Sequence, residues 1–287
     1  MYPRAFAYTR ARSVPEALEA LSAYGPDACP LAGGMSLVPW LKYRQRSPGL
    51  LVDVGRIAEL AGIERPDDTL CVGALTRHAD VVAWRGDPAL GLLPELAAGI
   101  GDVQVRGMGT VGGSLAAVEP TGDWGGALLA MRGSVVARSA SGQRLIASDD
   151  LFVDTYRSSL RPDELLTEVR LPVPDGRFGT AAAKLDHRAA AAPLSSCAVQ
   201  VELDDADRVR LAGVGCIGVA GYPIRLAEVE ATLRGAPCTP EAIGDAAACA
   251  RHATDDAFTG SVLARLLRDA LTRAAERAER VEAGVDA

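Results

Sequence analysis

The sequence predicts an α+β protein made of two α/β units followed by a third unit in which strands precede helices. The chain has 287 residues, which exceeds one average domain, and its 48% hydrophobic content with only 5% aromatic residues provides aliphatic mass for packed cores. Strand and helix patterns alternate as far as Pro172 and Pro174, after which a run of strands is followed by a run of helices. We therefore expect units at residues 1–55, 56–174 and 175–287.

The first unit opens with a helix that begins at Ser13. Ser13 and Glu16 match a capping box, in which the hydroxyl accepts from an early amide and the glutamate reaches back to the amide of the cap residue. Apolar residues at helical spacing continue the helix. Short apolar strands follow at residues 28–32 and 50–54, and a helix is predicted between them over 36–44.

The second unit begins with a strand over residues 69–76, where apolar and polar residues alternate with the period of a β-strand. Two helices, a glycine-rich stretch, a further helix and three strands are expected after it. The predicted ranges are 77–84, 92–100 and 123–131 for the helices, and 134–139, 143–147 and 164–171 for the strands.

The third unit has strand patterns first and helix patterns afterwards, which is typical of an α+β domain. We expect Ser261 to cap its last helix. The predicted ranges are 180–185, 196–203 and 208–217 for the strands, and 225–234, 240–252 and 261–281 for the helices.

Charge and cysteine usage exclude several classes of protein. The formal net charge of −7 argues against a surface that binds nucleic acid or an anionic membrane, since such surfaces need clustered Lys and Arg. The six cysteines stand singly, without the CxxC spacing of zinc or iron–sulfur sites, and the three histidines are isolated as well. No apolar run approaches the roughly 18 residues of a membrane span. We expect a cytoplasmic protein without a metal site.

Two glycine-rich segments share one physical design. Residues 32–36 are Ala-Gly-Gly-Met-Ser and residues 110–114 are Thr-Val-Gly-Gly-Ser, and each is predicted to end a strand beside a hydroxyl residue. Glycine permits positive φ and has no Cβ, so successive amides can converge on an anion. Neither segment carries a Walker lysine or GxGxxG spacing. They predict a diphosphate held by amides and hydroxyls, although paired glycines are also typical of ordinary turns.

These segments, together with the rest of the chain, resemble a known family. Residues 32–37 are similar to the signature AGG(Q/H)SL, and residues 104–116 to QVRNxGTIGGNLA, of the FAD-binding subunits of molybdenum hydroxylases. This family includes the medium subunits of xanthine dehydrogenase and carbon monoxide dehydrogenase. Residues 51–54, 73–76 and 164–172 follow the family pattern in the same order, so the resemblance extends over nearly the whole chain.

The resemblance implies a PCMH-type fold, in which two α/β subdomains enclose FAD and a smaller α+β domain with a three-stranded sheet and helices follows. Ile100 and Leu166 would form apolar walls against the flavin or the adenine. Asp123 would accept from a ribose hydroxyl or an adenine amine, and Lys184 would lie near the flavin ring, where a cation stabilises the anionic reduced flavin. The residues implied to hold the diphosphate are Ala32, Gly33, Gly34, Met35, Ser36, Leu37, Thr110, Val111, Gly112, Gly113 and Ser114.

Other interpretations of these residues remain, and the sequence departs from the family at two places. Judged by residue type alone, Asp123 is also typical of a helix N-terminal cap, and Lys184 of a solvated strand lysine. Met35 replaces the usual polar residue, which removes a side-chain donor but leaves the amides. Residues 189–193 are Ala-Ala-Ala-Ala-Pro, where many relatives carry an Asp and an aromatic residue near the flavin. We expect a flavin face that is more open or differently shielded.

The family resemblance implies the function of an electron-transfer subunit. In this family a molybdopterin-binding large subunit oxidises the substrate, and electrons pass through two [2Fe–2S] clusters on a small subunit to FAD on the medium subunit and then to an external acceptor. The sequence matches the FAD part alone, so no substrate-specific catalytic residue is expected in it. Two alternatives remain: a stand-alone FAD-dependent oxidoreductase or oxidase derived from the family, and a scaffold that has kept the fold and lost the cofactor.

Overall fold

A computed structural model describes residues 2–186 and 193–283, and it confirms the predicted α+β class. The described strands form sheets of three, five, four and two strands. In the segment 189–193, which departs from the family pattern, only Pro193 is described. The expectation of a more open or differently shielded flavin face therefore rests on residues outside the described ranges.

The first unit is a three-stranded parallel sheet of strand order β1-β3-β2, and the buried stripe of α1 packs against it. The Ser13 hydroxyl accepts from the Glu16 amide at 3.4 Å as predicted. The Glu16 carboxylate, however, accepts from the amide of Arg12 at 2.8 Å and not from that of the cap residue, because extended backbone at Ser13 leaves the preceding amide within its reach. The elements are β1 (Ala7–Arg10), α1 (Val14–Tyr24), β2 (Ala28–Leu31), α2 (Leu37–Lys42) and β3 (Leu50–Asp53).

The second unit is built on a five-stranded antiparallel sheet of order β4-β5-β10-β6-β7. Helices α4, α6 and α7 contribute to one continuous core with this sheet. The strands are β4 (Ile63–Glu64), β5 (Thr69–Gly73), β6 (Ser134–Ser139), β7 (Gly142–Ala147), the hairpin strands β8 (Phe152–Asp154) and β9 (Arg157–Ser158), and β10 (Leu165–Pro172). The helices are α3 (His78–Ala83), α4 (Leu92–Ala98), α5 (Val103–Met108), α6 (Val111–Ala117), α7 (Asp123–Ala130) and α8 (Ser148–Leu151).

The second glycine segment does not follow a strand, so that part of the prediction is wrong. Both glycines, Gly112 and Gly113, lie in the first turn of α6. Thr110 is the N-cap of this helix, and its hydroxyl accepts from the Gly113 amide at 3.2 Å. Val111, Gly112 and Leu115 are buried while Gly113 is only partly so, and a buried set at i, i+1 and i+4 fits one face of a helix and not the alternation of a strand. A short apolar run with glycines is compatible with either element, and packing decides between them.

The third unit is a four-stranded antiparallel sheet, β11-β12-β13-β14, with helices packed against it. Its fourth strand has two residues and adds to the three that were expected. The last helix begins at Ala257, so the predicted cap at Ser261 is wrong: the Ser261 hydroxyl donates to the Ala257 carbonyl inside the helix, while Asp256 accepts from the Thr259 amide. The elements are β11 (Phe178–Asp186), β12 (Pro193–Leu203), β13 (Val209–Ile217), β14 (Ile224–Arg225), α9 (Ala227–Leu233), α10 (Pro240–Cys249) and α11 (Ala257–Ala283).

Helix α7 joins the second unit to the third. It lies against β12 and β13 so closely that a Cβ on Gly215 would come within 2.0 Å of the Gly126 carbonyl oxygen. A Cβ on Gly213 would likewise come within 1.8 Å of the Ala130 carbonyl oxygen. This contact holds the N-terminal end of α7, and with it Asp123, beside the sheet of the third unit.

Candidate functional site

A cavity of about 590 Å³ is lined by both glycine segments, with walls from the first and second units. Its volume lies within the roughly 300–1,000 Å³ of small-molecule and cofactor sites. Of the predicted site residues, Val111 is buried in the core of the second unit and Lys184 lies behind the cavity wall. The predicted residues that line the cavity are Ala32, Gly33, Gly34, Met35, Ser36, Leu37, Ile100, Thr110, Gly112, Gly113, Ser114, Asp123 and Leu166.

The first glycine segment follows β2 and turns sharply into α2. Gly34 has φ +75°, a left-handed conformation that a side chain rarely adopts, as the sequence predicted for this turn. Gly33 has a different role: a Cβ there would lie 1.9 Å from the carbonyl oxygen of Met108, at the end of α5. Gly33 therefore lets the first segment approach the end of α5, just before the second segment, while Gly34 shapes the turn.

The two glycines of the second segment also differ in what they contact. Gly112 lies against Ala74, to whose carbonyl its amide donates at 2.9 Å, and a Cβ on it would come within 2.8 Å of the Ala74 Cα. A Cβ on Gly113 would lie 2.7 Å from the Thr110 hydroxyl and 3.8 Å from the Cβ of Ala32 in the first segment. Gly113 is thus the glycine of α6 that faces the opposing segment, whereas Gly112 serves packing.

Asp123 and Lys184 bind each other at the junction of the second and third units. The Lys184 Nζ lies 2.9 Å from Asp123 Oδ2 and donates to the Gly99 carbonyl at 2.7 Å, and the Ser196 hydroxyl donates to Asp123 Oδ1 at 2.6 Å. Burial raises the pKa of Asp123, against the opposing effects of Lys184 and Ser196.

This arrangement rules out both interpretations from residue type alone. Gly122 is the N-cap of α7 and Asp123 makes no capping bond; the Lys184 side chain is only 14% exposed. Contact of either residue with a cofactor stays a prediction.

His78 lines the cavity and is bound from behind by Trp124, which is buried in the core; sequence reasoning missed this pair. Trp124 Nε1 donates to His78 Nδ1 at 3.1 Å, and the two rings stack with centroids 6.0 Å apart. Burial, with a smaller effect from the charge of Arg106, lowers the pKa of His78 to about 4, so the ring is neutral at neutral pH. Because Nδ1 accepts, the hydrogen bond assigns the single proton to Nε2. No local pattern pointed to this pair, since its members are 46 residues apart.

Arginines in the cavity wall supply the positive charge that the glycine segments lack. Arg46 and two further arginines, Arg157 and Arg161, line the wall. Arg46 lies over the Trp40 ring at 5.1 Å and donates to the Tyr156 carbonyl at 2.9 Å, so it connects the first unit to the β8–β9 hairpin. Sequence reasoning missed these residues because each arginine by itself is typical of a solvated surface.

Residues 2–186 and 193–283 contain neither a candidate metal centre nor a membrane-spanning helix. Within these ranges, no three His, Cys, Asp or Glu side chains come together in a group that could hold a metal ion. In the same ranges, no helix has the length and apolar character needed to cross a membrane.

Comparison with protein families gives two matches that together extend over most of the chain. Residues 4–174 match the FAD binding domain in molybdopterin dehydrogenase. Residues 181–274 match the CO dehydrogenase flavoprotein C-terminal domain.

Individual relatives are similar over almost their full lengths. The 6-hydroxypseudooxynicotine dehydrogenase complex subunit alpha of Paenarthrobacter nicotinovorans is 34% identical, with 100% of each chain covered. The carbon monoxide dehydrogenase medium chain of Afipia carboxidovorans is 32% identical, with 97% of this chain and 100% of that protein covered. A solved chain of carbon monoxide dehydrogenase from Hydrogenophaga pseudoflava superposes with a TM-score of 0.90 at 32% identity, covering 96% of this chain and 99% of the other.

Proposed function

Because this chain belongs to the family of FAD-binding medium subunits of molybdenum hydroxylases, we propose that it passes electrons from [2Fe–2S] clusters on a partner subunit through FAD to an external acceptor. The family establishes that the chain is an FAD-binding component of an oxidoreductase, which confirms the predicted cofactor and enzyme class. The direction of electron flow and the acceptor belong to the proposal. The observation that carries it is the match, over 100% of both chains, to a subunit of a dehydrogenase complex.

The residues that line the cavity suit FAD, and the cavity volume lies in the range of cofactor sites. The left-handed turn at Gly34 and the missing Cβ of Gly113 leave space between the two segments for a diphosphate. Arg46, Arg157 and Arg161 can offset the negative charge of the phosphates. Ile100 and Leu166 provide apolar surface for a planar ring system.

When bound, the flavin supplies the redox chemistry, and the protein supplies binding, orientation and electrostatics. In the proposed arrangement, the amides of the first segment hold the diphosphate, and the second segment, whose amides from Val111 to Ser114 are bonded within the protein, packs against it at Gly113. Ile100 and Leu166 exclude water from the ring system. Lys184 holds a fixed positive charge behind the cavity wall, where Asp123 and the Gly99 carbonyl determine its position. We assign no substrate-oxidising residue to this chain.

The proposed partners are a molybdopterin-binding large subunit and a small subunit with [2Fe–2S] clusters. Two relatives support this because their names, "medium chain" and "complex subunit alpha", describe subunits of assemblies. We also propose a cytoplasmic location, which the six free cysteines support, since reducing compartments maintain thiols. Cell fractionation with antibody detection tests the location, and recovery in a secreted or membrane fraction would contradict it.

Native purification through an affinity tag tests the electron-relay proposal. We expect a complex of three different polypeptides that contains molybdenum, iron and FAD, and that reduces an artificial electron acceptor. The same complex carrying Gly113→Val should lose the FAD and the reduction of the acceptor, while dithionite still reduces its iron–sulfur clusters. A monomer or homodimer that oxidises a small substrate without molybdenum would support the stand-alone flavoenzyme. A complex in which the chain shows no flavin absorption after incubation with FAD would support the scaffold.

A further inference from the structure

We propose that Glu119 is a sugar-binding residue of the cofactor site, whose carboxylate accepts hydrogen bonds from the ribityl or ribose hydroxyls that flank the diphosphate. This inference rests on the placement of the diphosphate between the two glycine segments proposed above. It adds a residue that neither the signature motifs nor the predicted contacts include.

Glu119 lies in the cavity wall between the hydroxyl residues of the two segments. Burial raises the pKa of its carboxyl group, and the nearby Ser36 hydroxyl of the first segment opposes that rise. Glu119 also lies near Ser114 of the second segment, because Gly122 adjoins both residues. A Cβ on Gly122 would be 3.5 Å from the Ser114 hydroxyl and 3.9 Å from the Glu119 Cβ. A ligand whose diphosphate lies between the segments brings its adjoining sugar groups to the neighbourhood of this carboxylate.

The backbone before Glu119 adopts a conformation that the local sequence disfavours. Val118 has φ +46° and ψ +49°, a left-handed conformation that is a genuine outlier for a β-branched residue. Such conformations cost on the order of 1–3 kcal/mol and persist only where surrounding contacts impose them, most often at functional sites.

Here the contacts are backbone hydrogen bonds to the strained residue and to the two residues that follow it. The Tyr156 amide donates to the Val118 carbonyl at 2.9 Å, the Gly122 amide to the Glu119 carbonyl at 2.9 Å, and the Gly218 amide to the Pro120 carbonyl at 3.2 Å. The loop therefore holds Glu119 in the wall at a cost in backbone energy, which a merely solvated glutamate would not require.

The charge of Glu119 is the second reason to assign it a ligand. A carboxylate in a diphosphate cavity repels the phosphates, and nearby arginines offset this effect only in part. The repulsion is tolerated where the carboxylate gains charge-assisted hydrogen bonds, and sugar hydroxyls are suitable donors for it. An acidic residue that binds the ribose hydroxyl of a dinucleotide is an established solution to the same problem in other folds.

Binding of two ligands to three variants separates this role from simple repulsion. FAD carries the hydroxyls and inorganic pyrophosphate does not, so Glu119→Gln should weaken FAD binding about fivefold and strengthen pyrophosphate binding. Glu119→Asp keeps the charge but shortens the reach, so it should weaken FAD binding and leave pyrophosphate binding unchanged. Glu19→Gln removes an exposed carboxylate outside the cavity and should change neither. Calorimetry of the refolded apoprotein measures each dissociation constant, and thermal melts confirm that each variant is folded.

Tighter binding of both ligands by Glu119→Gln would mean that the residue only repels phosphate, and it would overturn the inference. Unchanged FAD binding in Glu119→Gln would overturn it too. That result is expected if Glu119 is protonated in the complex or interacts with Ser36 alone. If pyrophosphate fails to compete with FAD in the wild-type protein, the placement of the diphosphate is wrong. That failure is distinguishable from the others because it does not depend on Glu119.

Discussion

Removal of the Lys184 charge should destabilise the apoprotein, because it leaves the Asp123 carboxylate buried without its cation. The Asp123 side chain is 4% exposed and that of Lys184 14%, so solvent screens this pair little. Removing one partner of a buried pair costs about 3–5 kcal/mol, and Ser196 still donates to the carboxylate at 2.6 Å. We therefore expect Lys184→Met to lower the free energy of unfolding by about 3 kcal/mol, at the lower end of that range.

The cost should depend on pH with a definite sign. Burial already raises the pKa of Asp123 above 3.8, and Lys184 opposes that rise. Without Lys184 the folded-state pKa of Asp123 lies higher still, so the folded state binds a proton at pH values where the unfolded state does not. Stability of the variant then falls as the pH rises through that window, and the difference from wild type should be smaller near pH 5 than near pH 7.5.

Urea denaturation of the apoprotein, followed by circular dichroism, measures this difference. Lys42→Met is the matched control, because Lys42 is exposed at the end of α2, and it should change stability by no more than about 0.5 kcal/mol. The double variant Asp123→Asn/Lys184→Met should recover part of the loss, since it removes the unpaired charge. Equal stability of Lys184→Met and Lys42→Met, or a double variant less stable than Lys184→Met, would refute the buried-pair reasoning.

Three further predictions concern the cavity walls. Gly33→Ala should lower the melting temperature and abolish FAD binding, because its Cβ would collide with the Met108 carbonyl. The control is Gly107→Ala, whose Cβ would meet nothing within 4 Å, and it should change neither property. Thermal melts with and without FAD measure both. His78→Gln should make the free energy of unfolding less dependent on pH. In the wild-type protein burial lowers the pKa of His78 from 6.5 to about 4, so the unfolded state binds more protons than the folded state between these pH values. The wild-type protein therefore loses about 3 kcal/mol of stability as the pH falls through this range, and the variant should not. Urea melts across that range check this, and equal slopes for variant and wild type would contradict it. Gly113→Val brings a Cβ to within 2.7 Å of the Thr110 hydroxyl and towards Ala32 of the first segment, so it should lose FAD in gel filtration, and circular dichroism checks that it is folded; a folded variant that elutes yellow would place the diphosphate elsewhere.

Short-range signals in the sequence predicted much of the fold and the nature of the ligand. The Ser13 cap, the apolar periods of the helices and strands, and the left-handed turn at Gly34 depend on residues within a few positions of one another. The prediction that was wrong for the second glycine segment depended on contacts between residues far apart in the sequence. Residues 110–114 are compatible with a strand or a helix, and the choice depends on Val111 and Leu115 packing against the core of the second unit.

Thus the sequence alone predicted the order of the units, and it determined the two glycine segments and their resemblance to an FAD-binding family. Only the tertiary structure decided what each residue contacts: Gly33 against Met108, and Asp123 with Lys184, which is 61 residues away. It alone revealed Glu119 beside Ser36, on a loop that strain at Val118 and bonds to distant backbone hold in place. The physical reason is that periodicity, capping and glycine conformations are properties of neighbouring residues. Burial, ion pairing and pKa shifts arise only when packing brings distant residues together and removes water from between them.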